Sequence, residues 1–145
     1  MFIVNVEGAI FRGDRWLIVK RSSEESHAAG TLSLVGGKVE EEGHAEAILE
    51  RTLIREIDEE VGIRVKERLY YVRSTTFTTD DGIPVVDVVF LCEYASGNAR
   101  NKSPDEVDGV FWMTYEEIMD DPNSPIWLRD HVKQAEIIRQ GLQLL

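Results

Sequence analysis

Glu56, Glu59 and Glu60 stand at i, i+3 and i+4 in the run Arg55-Glu56-Ile57-Asp58-Glu59-Glu60-Val61-Gly62-Ile63. On a helix this spacing gathers three carboxylates on one side. Carboxylates held that close repel one another unless they face water or a cation. A cluster of hard oxygen donors suits a divalent cation, and a divalent cation suits phosphate chemistry. Three glutamates alone more often mean a solvated acidic face. Here a Gly36-Gly37 turn lies upstream, at the end of an apolar strand-like run, so that the backbone can approach a metal or a phosphate closely.

A helix from about His44 or Ala45 to Val61 must carry these residues. At about 100° per residue Leu49, Leu53, Ile57 and Val61 form one apolar stripe, with the glutamates along its flank. Gly62 suits a left-handed C-terminal cap. Phe2 to Phe11 alternates and turns at Arg12-Gly13-Asp14 into a second strand, Trp16 to Arg21. Ser22 to Gly30, with His27, reads as a surface loop, and Thr31 to Val35 as a short strand. Arg64 to Thr79 reads as one long strand. Asp80-Asp81-Gly82 marks a hairpin turn, and Ile83 to Tyr94 returns as a strand buried on both faces. Val107 to Thr114 is a further strand. Thr114-Tyr115-Glu116-Glu117 opens a capped short helix. A last helix spans Ile126 to Leu142, with Leu128, Val132, Ile137 and Ile138 toward the core. The fold class is α+β, a mixed sheet with helices packed on it.

The chain has 145 residues, enough for a single domain over 1–145 with a real core. Its net charge of −11 argues against binding a nucleic acid polymer, whose phosphates call for lysine and arginine. No apolar run approaches a membrane span, and the N-terminus has no secretory signal pattern. The single cysteine, Cys92, lies in an apolar run and pairs with nothing, in keeping with a cytoplasmic protein.

With these residues in view, the chain resembles the Nudix hydrolases. Arg55 to Ile63 matches the last part of that family's box, Arg-Glu-apolar-X-Glu-Glu-X-Gly-apolar, at every specified position, and Gly36-Gly37-Lys38-Val39-Glu40 resembles its opening. One departure stands out. Seventeen residues separate Gly37 from Arg55, where the family's spacing gives thirteen. The expected first glutamate falls on Gly43 or Ala47. A helix starting one turn early would let Glu42 or Glu46 pair with Arg55 instead.

The resemblance implies a Nudix-type α/β/α sandwich and hydrolysis of a pyrophosphate bond in a nucleoside diphosphate linked to another moiety. It implies Mg²⁺, with Mn²⁺ as a substitute, held by Glu56, Glu59, Glu60 and the Gly37 carbonyl. Arg55 would orient the glutamates by charge-assisted hydrogen bonds. The general base is a box glutamate such as Glu59 or an acid on a later loop, where Asp105 and Glu106 stand and Glu106 is the choice. Arg21, Gly36 and Lys38 are the candidate substrate contacts. Trp127 and Phe77 could stack on a base, but core packing is the expectation for each. His131 is read as a packing or surface residue, and His44 as a loop residue. The marks expected for ADP-ribose or dinucleoside polyphosphate substrates fall near Thr78 and Asp80 and are missing, which leaves a nucleoside triphosphate or another nucleoside diphosphate derivative. The partner is then a small nucleotide-like molecule, with a homodimer possible. A non-catalytic nucleotide-binding sensor on the same fold is the alternative.

Overall fold

The computed structural model describes residues 1–25 and 28–145, so the loop reading of His27 lies outside the described residues. Among the described residues eight strands form a mixed sheet: β1 (Ile3–Arg12), β2 (Arg15–Arg21), β3 (Leu32–Ser33), β4 (Val35–Lys38), β5 (Arg64–Val65), β6 (Tyr70–Thr78), β7 (Pro84–Ser96) and β8 (Val107–Thr114). Three helices join them: α1 (Ile48–Val61), α2 (Tyr115–Asp120) and α3 (Ile126–Gly141).

Period-two alternation along the central strands builds two cores. On β1, Val6 and Ile10 point to one face and Ala9 and Phe11 to the other. On β2, Leu17 and Val19 oppose Trp16 and Ile18 in the same way. The first face packs on Leu53, Ile57 and Val61 of α1, and the second on Ile118 of α2 and Leu128, Val132 and Ala135 of α3. This is the expected α/β/α sandwich.

β1 and β7 run parallel over nine registered pairs, from Ile3↔Val85 to Phe11↔Glu93. On its other edge β1 meets two partners. The pairing with β2 is confined to Phe11↔Trp16 and Arg12↔Arg15 at the hairpin. Toward the N-terminus β4 takes the edge instead, with Val6↔Gly37 and Glu7↔Gly36. The space between the β1–β4 pair and β2 becomes a cavity.

Four sequence expectations need correction. Gly36 and Gly37 do not end a strand; they lie within β4. A Cβ at Gly36 would collide with the Val6 carbonyl oxygen, so the glycine serves close strand approach rather than a turn. Helix α1 begins at Ile48, later than expected, because Gly43 and Ala47 are left-handed (φ 68° and 51°) and a right-handed helix cannot pass through them. The long strand from Arg64 is broken into β5 and β6 by the charged run Lys66-Glu67-Arg68, after which Leu69 packs back on the core. Ile137 is exposed on α3, whereas Leu128 and Val132 are buried as expected.

Candidate functional site

The C-terminal end of α1 is where the site is assembled. Gly62 adopts the left-handed cap (φ 70°), and its amide donates to the carbonyls of Ile57 and Asp58. Two further last-turn carbonyls are taken by the loop after β7. The Arg100 amide donates to Val61 O at 3.0 Å and the Lys102 amide to Glu60 O at 2.9 Å. Lys102 Nζ donates to Asp58 O at 3.0 Å. The two amide bonds satisfy carbonyls that a helix end leaves open, the lysine adds a second donor to Asp58 O, and together they fix the loop on the helix. An Asn101 turn then carries the chain onward: the Ser103 amide donates to Asn101 Oδ1, and the Glu106 amide to Ser103 O. Glu106 is thereby delivered next to α1.

Arg55 spans the carboxylate cluster. Its guanidinium lies 3.5 Å from Glu56 and 3.9 Å from Glu59. It also lies 3.7 Å from Glu42, which pairs with Arg51 at 3.4 Å. Glu42 therefore reaches Arg55 as the shifted spacing suggested, but from the loop before a late-starting helix, with no extra turn.

Gly36, Gly37, Glu60, Glu106 and Arg21 line one cavity of about 270 Å³. The Gly36 amide donates to Glu60 Oε2 at 3.3 Å. A Cβ at Gly37 would run into the Glu56 carboxyl group, so only glycine lets β4 lie this close to the helix. Burial and the neighbouring charges of Glu56 and Glu106 push Glu60 up to about 8, against the smaller opposing pull of the Gly36 amide and Arg21. Glu56 is also raised, by burial and by Glu59, with Arg55 opposing. Partly buried acids crowded beside a backbone cradle that a methyl group would fill, with Arg55 and Arg21 offsetting only part of their mutual repulsion, fit a hard divalent cation. The donor set of carboxylates and backbone oxygen is the right one for Mg²⁺ or Mn²⁺.

The sequence candidates do not all converge. Glu56 lies against Gly37 but does not line the cavity, and the Glu59 side chain is 59% exposed on the outer flank. Lys38 is exposed at the end of β4, opposite Asn5 and outside the cavity lining. Arg21 lines the cavity and pairs with Glu25 at 3.6 Å.

A second group went unread in the sequence. Glu7 of β1, Asp87 of β7 and His131 of α3 offer ligand atoms within 4.8 Å of one another. His131 Nε2 stands 3.3 Å from Asp87 and 3.5 Å from Glu7. His131 is neither a surface residue nor simple packing: it is only 2% exposed. Burial would lower its pKa, but hydrogen bonds to Asp87 and Glu7 outweigh this and raise it to about 9. Burial and Asp87 push Glu7 up to about 8. Burial would raise Asp87 as well, yet bonds from Glu7, His131 and Asn5 hold it low. A signal was present, since a lone acid inside an apolar strand needs a partner. Naming that partner required the sheet register and the third helix. Phe77 and Trp127 are likewise not core residues; both are exposed and line a further cavity beside this group.

Residues 1–134 match the family model described as NUDIX domain. No curated protein sequence matches the chain. Among solved structures, the chain is similar to a MutT NUDIX hydrolase from Burkholderia pseudomallei, at 29% identity and TM-score 0.78, over 92% of this chain and 98% of that one. It is similar in fold to a MutT protein from Methanosarcina mazei (22% identity, TM-score 0.77, 96% of each chain). The same holds for the NUDIX domain of Shewanella oneidensis NrtR, solved with ADP ribose (19% identity, TM-score 0.70, 98% of this chain and 89% of that one).

Proposed function

Because the chain belongs to the NUDIX family and is a Nudix-type pyrophosphohydrolase, we propose that it performs Mg²⁺-dependent cleavage of a nucleoside triphosphate or a related nucleoside diphosphate derivative. The observation that carries this is the meeting of Glu60, Glu106, Gly36 and Gly37 in one cavity. Glu56, Glu59, Glu60 and the Gly37 carbonyl would hold the cation. When bound, it neutralises charge on the phosphoryl oxygens and orients water.

The chain's own residues do the rest. Arg55 holds the carboxylates of Glu56 and Glu59 by charge-assisted contacts. Arg21 lines the cavity from the end of β2, where it would meet the anionic phosphates. Gly36 keeps the backbone close and its amide on Glu60. Glu106, fixed by the docked loop, is the base: water oxygen bonds to phosphorus, the bond to the bridging oxygen breaks, and the water proton passes to the Glu106 carboxylate. Glu59 is the alternative base on the helix flank. Lys38, exposed at the end of β4 and outside the cavity lining, would reach only an outer phosphate. We read residues 1–145 as a single domain acting in the cytoplasm, with a homodimer as a possible assembly. Among the described residues no helix is long and apolar enough to cross a membrane.

A panel of nucleoside triphosphates and diphosphate derivatives, incubated with Mg²⁺ and then with EDTA, tests the reading through phosphate release after phosphatase coupling. Cleavage with Mg²⁺ and its loss in EDTA is the expected result. Binding across the panel with no cleavage would point to a nucleotide sensor.

A further inference from the structure

A second cavity, of about 520 Å³, adjoins the first and shares Asn5, Glu7, Arg21 and Ser33 with it. Its volume is in the range of small-molecule sites. Phe77 from β6 and Trp127 from α3 line it and stay 38% and 48% exposed, although each is a large apolar ring. An exposed indole such as Trp127 offers a face to a planar ring, with Phe77 on the same cavity wall, and such stacking is indifferent to the identity of a base.

Discrimination has to come from the polar groups; Arg73 and the β6 threonines also line the cavity, and the buried group among them is unusual. Asp87 and His131 are the most buried polar residues of the lining, and Glu7 stands with them where the two cavities join. Their donors are turned inward. His131 Nε2 lies between the Glu7 and Asp87 carboxyl groups. Asn5 Nδ2 donates to Asp87 Oδ1 at 2.7 Å. The other imidazole nitrogen, Nδ1, is buried away from the surface and has no partner among the described residues. The proton that burial keeps on Glu7 is given to Asp87, so what this group offers a ligand is carboxyl oxygen, whose spare lone pairs accept N–H bonds. A carbonyl pointed at the same oxygens would leave both sides without a donor, and unpaired buried acceptors are costly.

We propose that the second cavity holds the base of the substrate against Phe77 and Trp127, and that Glu7 and Asp87 select bases bearing an exocyclic amino group. This rests on the pyrophosphohydrolase reading of the adjoining cavity.

Matched nucleotides that differ at the amino position provide the test: guanosine against inosine, and cytidine against uridine, as triphosphates for hydrolysis and as diphosphates for calorimetric binding, all with the Mg²⁺-loaded protein. The amino member of each pair is expected to lead by about 10- to 100-fold in kcat/KM, with the same order in Kd. Glu7→Gln, which adds an amide donor at the junction, should narrow the ratio. Trp127→Ala should weaken both members of a pair alike and leave the ratio unchanged. Equal kcat/KM and Kd within each pair would overturn the proposal while leaving the hydrolase reading intact. Should nothing be cleaved with Mg²⁺, the hydrolase reading fails, and the Kd ratios alone decide whether the cavity reads the amino group. The wild-type pairs need no variant to fold.

Discussion

Arg55 Nη1 stands 3.7 Å from Glu42 Oε2, and this contact ties the loop before α1 to the carboxylate face of the helix. The same guanidinium reaches Glu56 and Glu59, so Glu42 acts on the site through Arg55. Glu42→Gln should lower kcat by about tenfold, as losses of outer partners around a metal site do. The ion pair is partly exposed and contributes little to stability, so the melting temperature should hardly move. Steady-state kinetics and thermal unfolding on the same preparation check both halves.

The two adjacent glycines of β4 should separate under alanine substitution. At Gly37 the new methyl group enters the space of the Glu56 carboxyl, a flexible side chain. Gly37→Ala should therefore fold and bind Mg²⁺ or Mn²⁺ at least about tenfold more weakly. At Gly36 the methyl meets the Val6 carbonyl and lies 2.9 Å from Glu7 Cα, both backbone. Gly36→Ala should cost about 1–3 kcal/mol of stability, the usual range for overpacking. Calorimetric metal titration and thermal melts distinguish them; equal behaviour of the two variants would contradict the geometry.

Cation affinity should depend on pH. Without a cation, burial and its acidic neighbours push Glu60 up to about 8, so below that pH a proton competes with the metal. Mg²⁺ affinity should climb between pH 6 and 8, by up to about tenfold per pH unit, and level off above. Glu60→Gln should flatten the climb.

Stability should run the other way in EDTA. Glu7 and His131 are raised to about 8 and about 9 in the folded protein, from ordinary values of 4.5 and 6.5. The folded state then binds more protons than the unfolded state across this window, and stability falls as pH rises. The contribution of His131 is complete below pH 6.5 and gone above about 9. Glu7 begins to lose its share above pH 4.5 and has lost it past about 8. Thermal melts from pH 5 to 9 should show a falling melting temperature. Asp87→Asn, which removes a partner of both groups, should shallow the slope.

Local pattern was enough to read some of this from the sequence. Leu53, Ile57 and Val61 are buried on α1, and Gly62 takes the left-handed cap, because helical periodicity and capping are short-range properties. The start of α1 escaped, since Ala47 carries no mark of its left-handed backbone. The Glu7–Asp87–His131 group also escaped. Its members are separated by much of the chain and meet only through the parallel register of β1 with β7 and the seating of α3. Glu106 sits between these cases: its loop was visible, but its approach to Glu60 depends on Arg100 and Lys102 capping α1.

The glutamates of α1 are proposed to hold a divalent cation for pyrophosphate cleavage. The most direct test is turnover of Glu60→Gln and Glu59→Gln with Mg²⁺ on a substrate that the wild type cleaves. Turnover should drop by roughly 10²–10³-fold, with folding shown intact by circular dichroism. If both variants keep full activity, the assignment is wrong.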